Sequence, residues 1–144
     1  MITVRRMTES DVSAAAALEA ACFSEPWSEK SFLDALHNEN TLYLAAEEDG
    51  RFIGMCGLWQ SLDEADVMNV AVDPALRGRG VAAALMEELM RLGRERGITA
   101  FSLEVRSSNQ PAIGLYQKCG FVTEGVRRNF YAKPTEDALI MWKR

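Results

Sequence analysis

Histidine is almost absent from the chain: His37 is the only one in 144 residues. With no second histidine and no cysteine group beside it, a metal site is not expected, and its place near a predicted helix end suits an imidazole facing the C-terminal dipole. Cysteine is nearly as scarce. Cys22, Cys56 and Cys119 are three in number and widely spaced, which argues against a disulfide framework or a zinc cluster and reads as reduced, structural thiols. No apolar run approaches the length of a membrane span, and the basic start Met1-Ile2-Thr3-Val4-Arg5-Arg6 has no apolar signal core behind it, so a cytoplasmic protein is expected. Positive charge is also short: 16 Lys and Arg against 21 Asp and Glu give a net −5. That balance disfavours nucleic acid as a partner and suits a basic peptide or an amine. There is no repeat, low-complexity tract, linker or heptad, so residues 1–144 are read as one domain and as a monomer.

The most informative stretch runs from Val67 to Arg96. Val67-Met68-Asn69-Val70-Ala71-Val72 has the length and β-branching of a buried strand, and Asp73-Pro74 ends it because proline turns its predecessor away from helix. Beyond the turn, Val81, Leu85, Leu89 and Leu92 recur at helical spacing while Glu87, Glu88, Arg91 and Arg94 fall elsewhere, which predicts an amphipathic helix. Gly78 and Gly80 sit just before its first turn. Free backbone N–H groups and the positive end of the helix would therefore face the loop, a place for phosphate.

These residues alone leave more than one tenant open. A nucleoside-triphosphate loop is dismissed, because Val81-Ala82 stands where Lys-Ser or Lys-Thr is required. A dinucleotide site fits Gly78-x-Gly80-x-x-Ala83 with Glu104 as ribose partner, although Asp73 to Arg77 separates the glycines from their strand. A plain turn fits as well. A further pattern, Arg77-x-x-Gly80-x-Ala82, gains weight only from neighbours in the right order.

Along the chain, Ile2 and Val4 alternate as a first strand, and Thr8-Glu9-Ser10-Asp11 starts an alanine-rich helix running to about Cys22. After Phe23-Ser24-Glu25-Pro26-Trp27-Ser28, a second helix carries Phe32, Leu33 and Leu36 on one side. Thr41 to Glu47 and Arg51 to Gln60 form a hairpin through Asp49-Gly50, and Asp63 to Asp66 is read as a turn into the next strand. Gly97 stops the long helix, and Thr99 to Arg106 alternates, with Phe101, Leu103 and Val105 on one face and Ser102, Glu104 and Arg106 on the other. Strand, crossover helix and strand predict a parallel pair. Asn109 caps a short helix from about Gln110 to Lys118, and two last strands, Phe121 to Gly125 and Ala138 to Trp142, flank a polar loop that includes Arg127 to Tyr131.

Several separated pieces then line up in one order: Pro26-Trp27-Ser28, Asn69 to Pro74, Arg77 to Ala82, Leu103 to Asn109, Ala112 to Tyr116, Gly120-Phe121, Arg127 to Tyr131 and Glu136-Asp137-Ala138. Together they resemble the GCN5-related N-acetyltransferases, and within them the ribosomal-protein-alanine N-acetyltransferases of the RimI family, over nearly the whole chain. The resemblance implies an α/β (α+β) acyl-CoA N-acyltransferase fold, a mixed and mostly antiparallel sheet with a central parallel strand pair flanked by helices. It implies acetyl-CoA as cosubstrate and, as acceptor, the N-terminal peptide of a small-subunit ribosomal protein beginning with alanine. By the same resemblance the main chain of Val70, Ala71 and Val72 holds the acetyl and pantetheine end. The loop of Arg77, Gly78, Arg79, Gly80, Val81, Ala82 and Ala83 holds the pyrophosphate, and Asn109 the coenzyme. Glu104 matches the general base, Tyr116 the general acid and Tyr131 a peptide-contacting ring. Phe130 departs from the family's frequent Tyr-Tyr pair, which removes one hydroxyl and bears on acceptor preference.

The chemistry needs those groups. An N-terminal amine has a reference pKa of about 7.7–8.0, so freeing it of its proton at neutral pH costs about 1 kcal/mol, against about 4–5 for lysine. A carboxylate acting directly or through water supplies the base. A strand N–H near Val70 to Val72 meets the oxyanion without a side chain. Tyr116 is either this proton donor or a core aromatic, and Trp27 either a core anchor or part of an acceptor groove. An acyl-cysteine route through Cys119 is disfavoured, since no histidine activates it. The rival functions are acetylation of other protein N-termini, lysine or a small amine; a dinucleotide-dependent oxidoreductase; and a coenzyme-binding module without catalysis.

Overall fold

A period of two along Thr41–Glu48 sorts that strand's side chains onto two faces. Leu42, Leu44 and Ala46 join one apolar cluster, and Tyr43 and Ala45 join another. The computed structural model, which describes residues 1–144, extends this sorting to the whole chain. The order is β1 (Ile2–Arg6), α1 (Val12–Cys22), α2 (Glu29–Leu36), β2 (Thr41–Glu48), β3 (Arg51–Ser61), β4 (Glu64–Val72), α3 (Val81–Glu95), β5 (Ala100–Arg106), α4 (Gln110–Lys118), β6 (Val122–Ala132) and β7 (Thr135–Lys143). The seven strands form one sheet in the order β1-β2-β3-β4-β5-β7-β6. Every neighbouring pair is antiparallel except β4 and β5, which α3 joins as a crossover. Leu85, Met86 and Leu89 of α3, with Ile113 and Tyr116 of α4, pack in the larger cluster on one face. Val12 and Ala15 of α1, with Phe32 and Ala35 of α2, pack in the smaller cluster on the other. No helix is long and apolar enough to cross a membrane.

Local chemistry sets the element ends. Asp49 and Gly50 both have positive φ, 53° and 79°, the two-residue turn whose twist matches a hairpin. Ser28 Oγ accepts from Ser31 N–H to begin α2, and Asn109 Oδ1 accepts from Ala112 N–H to begin α4. Gly97, at φ 84°, closes α3 while the Ile98 N–H reaches back to the Gly93 carbonyl.

Two segments differ from their expected form. Glu64 to Asp66 is the start of β4, not a turn: Glu64 and Asp66 occupy the exposed phase of a strand whose Ala65 is buried, and Leu62-Asp63 alone turns the chain. Arg127 to Tyr131 is not a loop either, but the outer half of β6, whose pairing with β7 jumps from Arg127↔Ala138 to Tyr131↔Glu136 around Asn129 at φ 52°. β6 is an edge strand with solvent on most of its length, so it lacks the apolar alternation that marks buried strands.

The feature that shapes the site is where β4 leaves β5. Their ladder holds only from Glu64↔Ala100 to Asp66↔Ser102, closed by a hydrogen bond from Ser102 Oγ to Asp66. Just beyond, the register of β4 on β3 slips between Met55↔Ala71 and Gly57↔Met68, at Asn69 with φ 56°. A bulge bends its strand, so Val67–Val72 and Leu103–Arg106 diverge with unpaired edges facing each other. The bulge depends on close packing beneath it. A Cβ on Gly57 would lie 2.3 Å from Tyr43 Cε2, and the Tyr43 hydroxyl is held by Asn69 and Trp59. Gly57→Ala is therefore expected to destabilise the fold by about 1–3 kcal/mol, measured as a lowered thermal midpoint; an unchanged midpoint would show that the ring can move aside.

Candidate functional site

The divergence of β4 and β5 opens a cleft of about 680 Å³. Its walls are Val67–Val70 and Leu103–Arg106, with Cys22 at the end of α1 and Phe23, Ser24, Glu25 and Trp27 of the α1–α2 loop on one flank and Phe130 to Pro134 of the β6–β7 hairpin on the other. Trp27, Val70, Glu104, Asn109, Tyr116 and Tyr131 all line it.

Each of these side chains owes its position to its element. Glu104 projects from the exposed phase of β5, and its Oε2 lies 3.8 Å from Arg127 Nε on β6. Tyr131 comes from the hairpin and lies under the Arg106 guanidinium, 4.4 Å from its ring centre. Burial raises the Tyr131 hydroxyl above its ordinary pKa; the nearby Glu104 charge adds to the rise and Arg106 opposes it. Tyr116 lies on the inner side of α4, its ring only 8% exposed and edge-on to Phe121. Burial pushes its hydroxyl well above the usual phenol range, and that hydroxyl makes no hydrogen bond within the protein. Trp27 takes both positions left open for it: its ring packs 5.2 Å from Phe32 and 6.1 Å from Tyr43, and it also lines the cleft. Asn109 is engaged as the α4 cap through Oδ1.

The glycine loop lies outside the cleft lining and leads from the end of β4 to α3. Gly78 and Gly80 have φ of 83° and 80°, and a Cβ on either would meet nothing within 4 Å, so backbone conformation and not crowding calls for glycine. No side chain caps α3, which leaves its first N–H groups available to an anion. Val81 is buried in the core, so only its main chain can serve such a ligand; Ala71 and Val72 are buried as well. Arg79 is bound to Glu48 at 2.6 and 3.0 Å, whereas Arg77 Nη2 lies 3.6 Å from the Sγ of Cys22, on the cleft side. Cys119 does not line the cleft, and burial raises its thiol, which is the wrong direction for a thiolate nucleophile.

One polar group escapes a reading of the sequence as motifs. Glu19 on α1 lines the cleft at 4% exposure and accepts from Asn69 Nδ2 at 3.1 and 3.3 Å and from Trp27 N–H at 3.3 Å. Burial raises its pKa, and those bonds oppose the rise. The available signal was composition: Glu19 is the only charged residue between Asp11 and Glu25, inside an otherwise alanine-rich helix.

A sheet split at its one parallel pair, beside a bare helix N-terminus behind a glycine loop, is the architecture of coenzyme A-dependent acyltransferases. The chain belongs to the acetyltransferase (GNAT) family, whose sequence profile matches residues 12–121. It is 38% identical over 143 residues to the [ribosomal protein bS18]-alanine N-acetyltransferase of Salmonella typhimurium, covering 98% of this chain and 96% of that one. Among solved structures, the ribosomal-protein-S18-alanine N-acetyltransferase from Escherichia coli superposes with a TM-score of 0.90 at 36% identity, over 99% of this chain and 93% of that one. Ard1 from Thermoplasma volcanium also gives a TM-score of 0.90, at 28% identity over 99% and 96% of the two chains. The protein is an acetyl-CoA-dependent N-acetyltransferase.

Proposed function

We propose that the enzyme acetylates the N-terminal α-amine of a small-subunit ribosomal protein that begins with alanine. Support comes from similarity to a bS18-alanine N-acetyltransferase along 98% of this chain and 96% of that one, so the α1–α2 loop and the β6–β7 hairpin that flank the cleft here fall within the matched length. In this reading the acceptor enters between Trp27 and Tyr131, and Glu104 takes a proton from its ammonium directly or across one water. A main-chain N–H in Val70–Val72 steadies the oxyanion as the amine attacks the thioester carbon. The Tyr116 hydroxyl donates to the sulfur as the carbon–sulfur bond breaks. Nitrogen loses two protons in all; one ends on the thiol and the other in solvent. The α3 N-terminus, with Gly78 and Gly80 before it and Arg77 beside it, holds the pyrophosphate.

The test is mass spectrometry of a synthetic peptide copying the bS18 N-terminus after incubation with enzyme and acetyl-CoA. Acetyl on the α-amine is expected; acetyl on lysine with a free α-amine, or on neither, overturns the reading. The pyrophosphate role has its own test. At φ 80°, valine in place of Gly80 carries a backbone strain of about 1–2 kcal/mol that pushes the loop out of shape. Gly80→Val is expected to raise KM for acetyl-CoA about tenfold while kcat stays within about threefold, since the loop serves binding and not the chemical step. Steady-state kinetics with varied acetyl-CoA reads it, and an unchanged KM would remove the loop from the coenzyme site.

A further inference from the structure

Glu19 is a buried carboxylate without a counter-ion: no Lys or Arg lies within ion-pair distance of it. An unpaired charge in that position is costly and persists only where hydrogen bonds compensate it. Its donors come from two different sides of the cleft, the β4 wall and the α1–α2 flank. Trp27 N–H belongs to the α1–α2 loop, and Asn69 Nδ2 belongs to the bulge of β4. Asn69 has its φ at 56°, a conformation that asparagine tolerates better than most residues but that still needs holding. Its amide is held at both ends: Nδ2 by Glu19, and Oδ1 by the Tyr43 hydroxyl at 2.7 Å, which in turn accepts from Trp59 Nε1 at 3.2 Å. The bulge is what parts β4 from β5.

We propose that Glu19 is a positioning residue that clasps the thioester-side strand to the acceptor-side loop, so that the β4 wall and the α1–α2 flank of the cleft are set, and loosen, together. The proposal rests on the reading of this cleft as the site of acetyl transfer, but its geometry concerns the protein alone. Through Asn69 the carboxylate keeps the β4 bulge in register; through Trp27 it keeps the acceptor flank at a fixed distance from that bulge. A misplacement of about 1 Å between reacting groups can cost about 10² in rate, so a clasp of this kind acts on transfer without touching either substrate.

The hydrogen-bond polarity makes the idea testable by exchange. In Glu19→Gln, the new amide nitrogen meets a donor, Asn69 Nδ2 or Trp27 N–H, and one bond is lost. In Asn69→Asp, the buried Glu19 carboxylate faces a second, half-buried one. In the double variant Glu19→Gln/Asn69→Asp, the new amide donates to the new carboxylate, its carbonyl accepts from Trp27 N–H, and the second carboxylate oxygen accepts from Tyr43. Amide hydrogen exchange on the four proteins without substrate reads the clasp directly. Exchange is expected to rise about tenfold or more at both Met68–Val72 and Ser24–Trp27 in each single variant, and to return to within about threefold of the parent in the double. Peptide acetylation in the same proteins is expected to follow, with kcat falling and KM for acetyl-CoA and for peptide rising together in the singles, and all three recovering together in the double. Exchange that changes at one segment only, single effects that add in the double, or recovered exchange without recovered activity overturns the proposal. A parent protein inactive on this peptide overturns the proposed acceptor instead, and the exchange data still decide the clasp.

Discussion

Glu104→Gln is expected to lower kcat/KM for an N-terminal peptide by about 10²–10³ at neutral pH, the range that general acid–base catalysis supplies. The loss is expected to shrink as pH rises past about 8, where a free α-amine carries no proton for a base to remove before attack. The sign follows from the substrate: below its pKa the amine arrives as ammonium, and the carboxylate that accepts its proton matters most there. The variant should otherwise be a sound protein. Glu104 is an exposed residue whose one ionic partner, Arg127 at 3.8 Å, is itself exposed, a pair worth less than about 1 kcal/mol. An unchanged thermal midpoint is therefore expected beside the lost activity. Initial rates across pH 6 to 9.5, at saturating acetyl-CoA, measure the effect. A loss of equal size at every pH would give Glu104 a charge-pairing role toward the peptide, and no loss would leave it a surface carboxylate.

The parts of this molecule that could be read from sequence are those where one physical signal dominates. The change from a period of two to a period of 3.6 across Asp73-Pro74 marks the end of β4 and the start of α3, and Val81, Leu85 and Leu89 of that helix are buried. Asp49-Gly50 fixes the β2–β3 register because few residues accept two positive φ angles in succession. The cleft itself had no such signal. It exists because one residue, Asn69, adopts a left-handed conformation that its side-chain bonds sustain, and nothing in a linear pattern announces a bulge. Alternation along β5 placed Ser102, Glu104 and Arg106 on one polar face, yet Ser102 is 7% exposed and bonded to Asp66 where the parallel ladder ends. The same face changes from buried to open within two residues because the neighbouring strand departs. The outer half of β6 reads as a loop for the converse reason: as an edge strand it has almost no buried face to report. Glu19 has no signal of its burial in the sequence, because a single charge in an alanine-rich helix usually faces solvent, and only the folded chain brings Asn69 and Trp27 to it.

Tyr116→Phe is expected to lower kcat by about 10–10² while leaving KM for acetyl-CoA and the thermal midpoint nearly unchanged. The Tyr116 hydroxyl has no hydrogen-bond partner in the protein, so removing it orphans no donor or acceptor, and the ring keeps its edge contact with Phe121. Burial holds the hydroxyl protonated far into the alkaline range, which makes it a constant donor over the pH range in which the amine becomes free. The variant is thus expected to keep the parent's pH profile at a lower height, in contrast with Glu104→Gln, whose profile changes shape. The same rise in pKa bounds the size of the effect. A thiol has a reference pKa near 8.5, so complete transfer from a buried phenol to its thiolate is uphill, and a hydrogen bond in the transition state is the larger part of what the hydroxyl gives. A leaving group that needs less help should therefore need Tyr116 less. With an acetyl aryl thioester, whose thiol is more acidic than that of coenzyme A, the gap between Tyr116→Phe and the parent is expected to narrow to within about threefold. A gap that stays the same for both thioesters would move Tyr116 from the departing sulfur to the packing of the α4 wall.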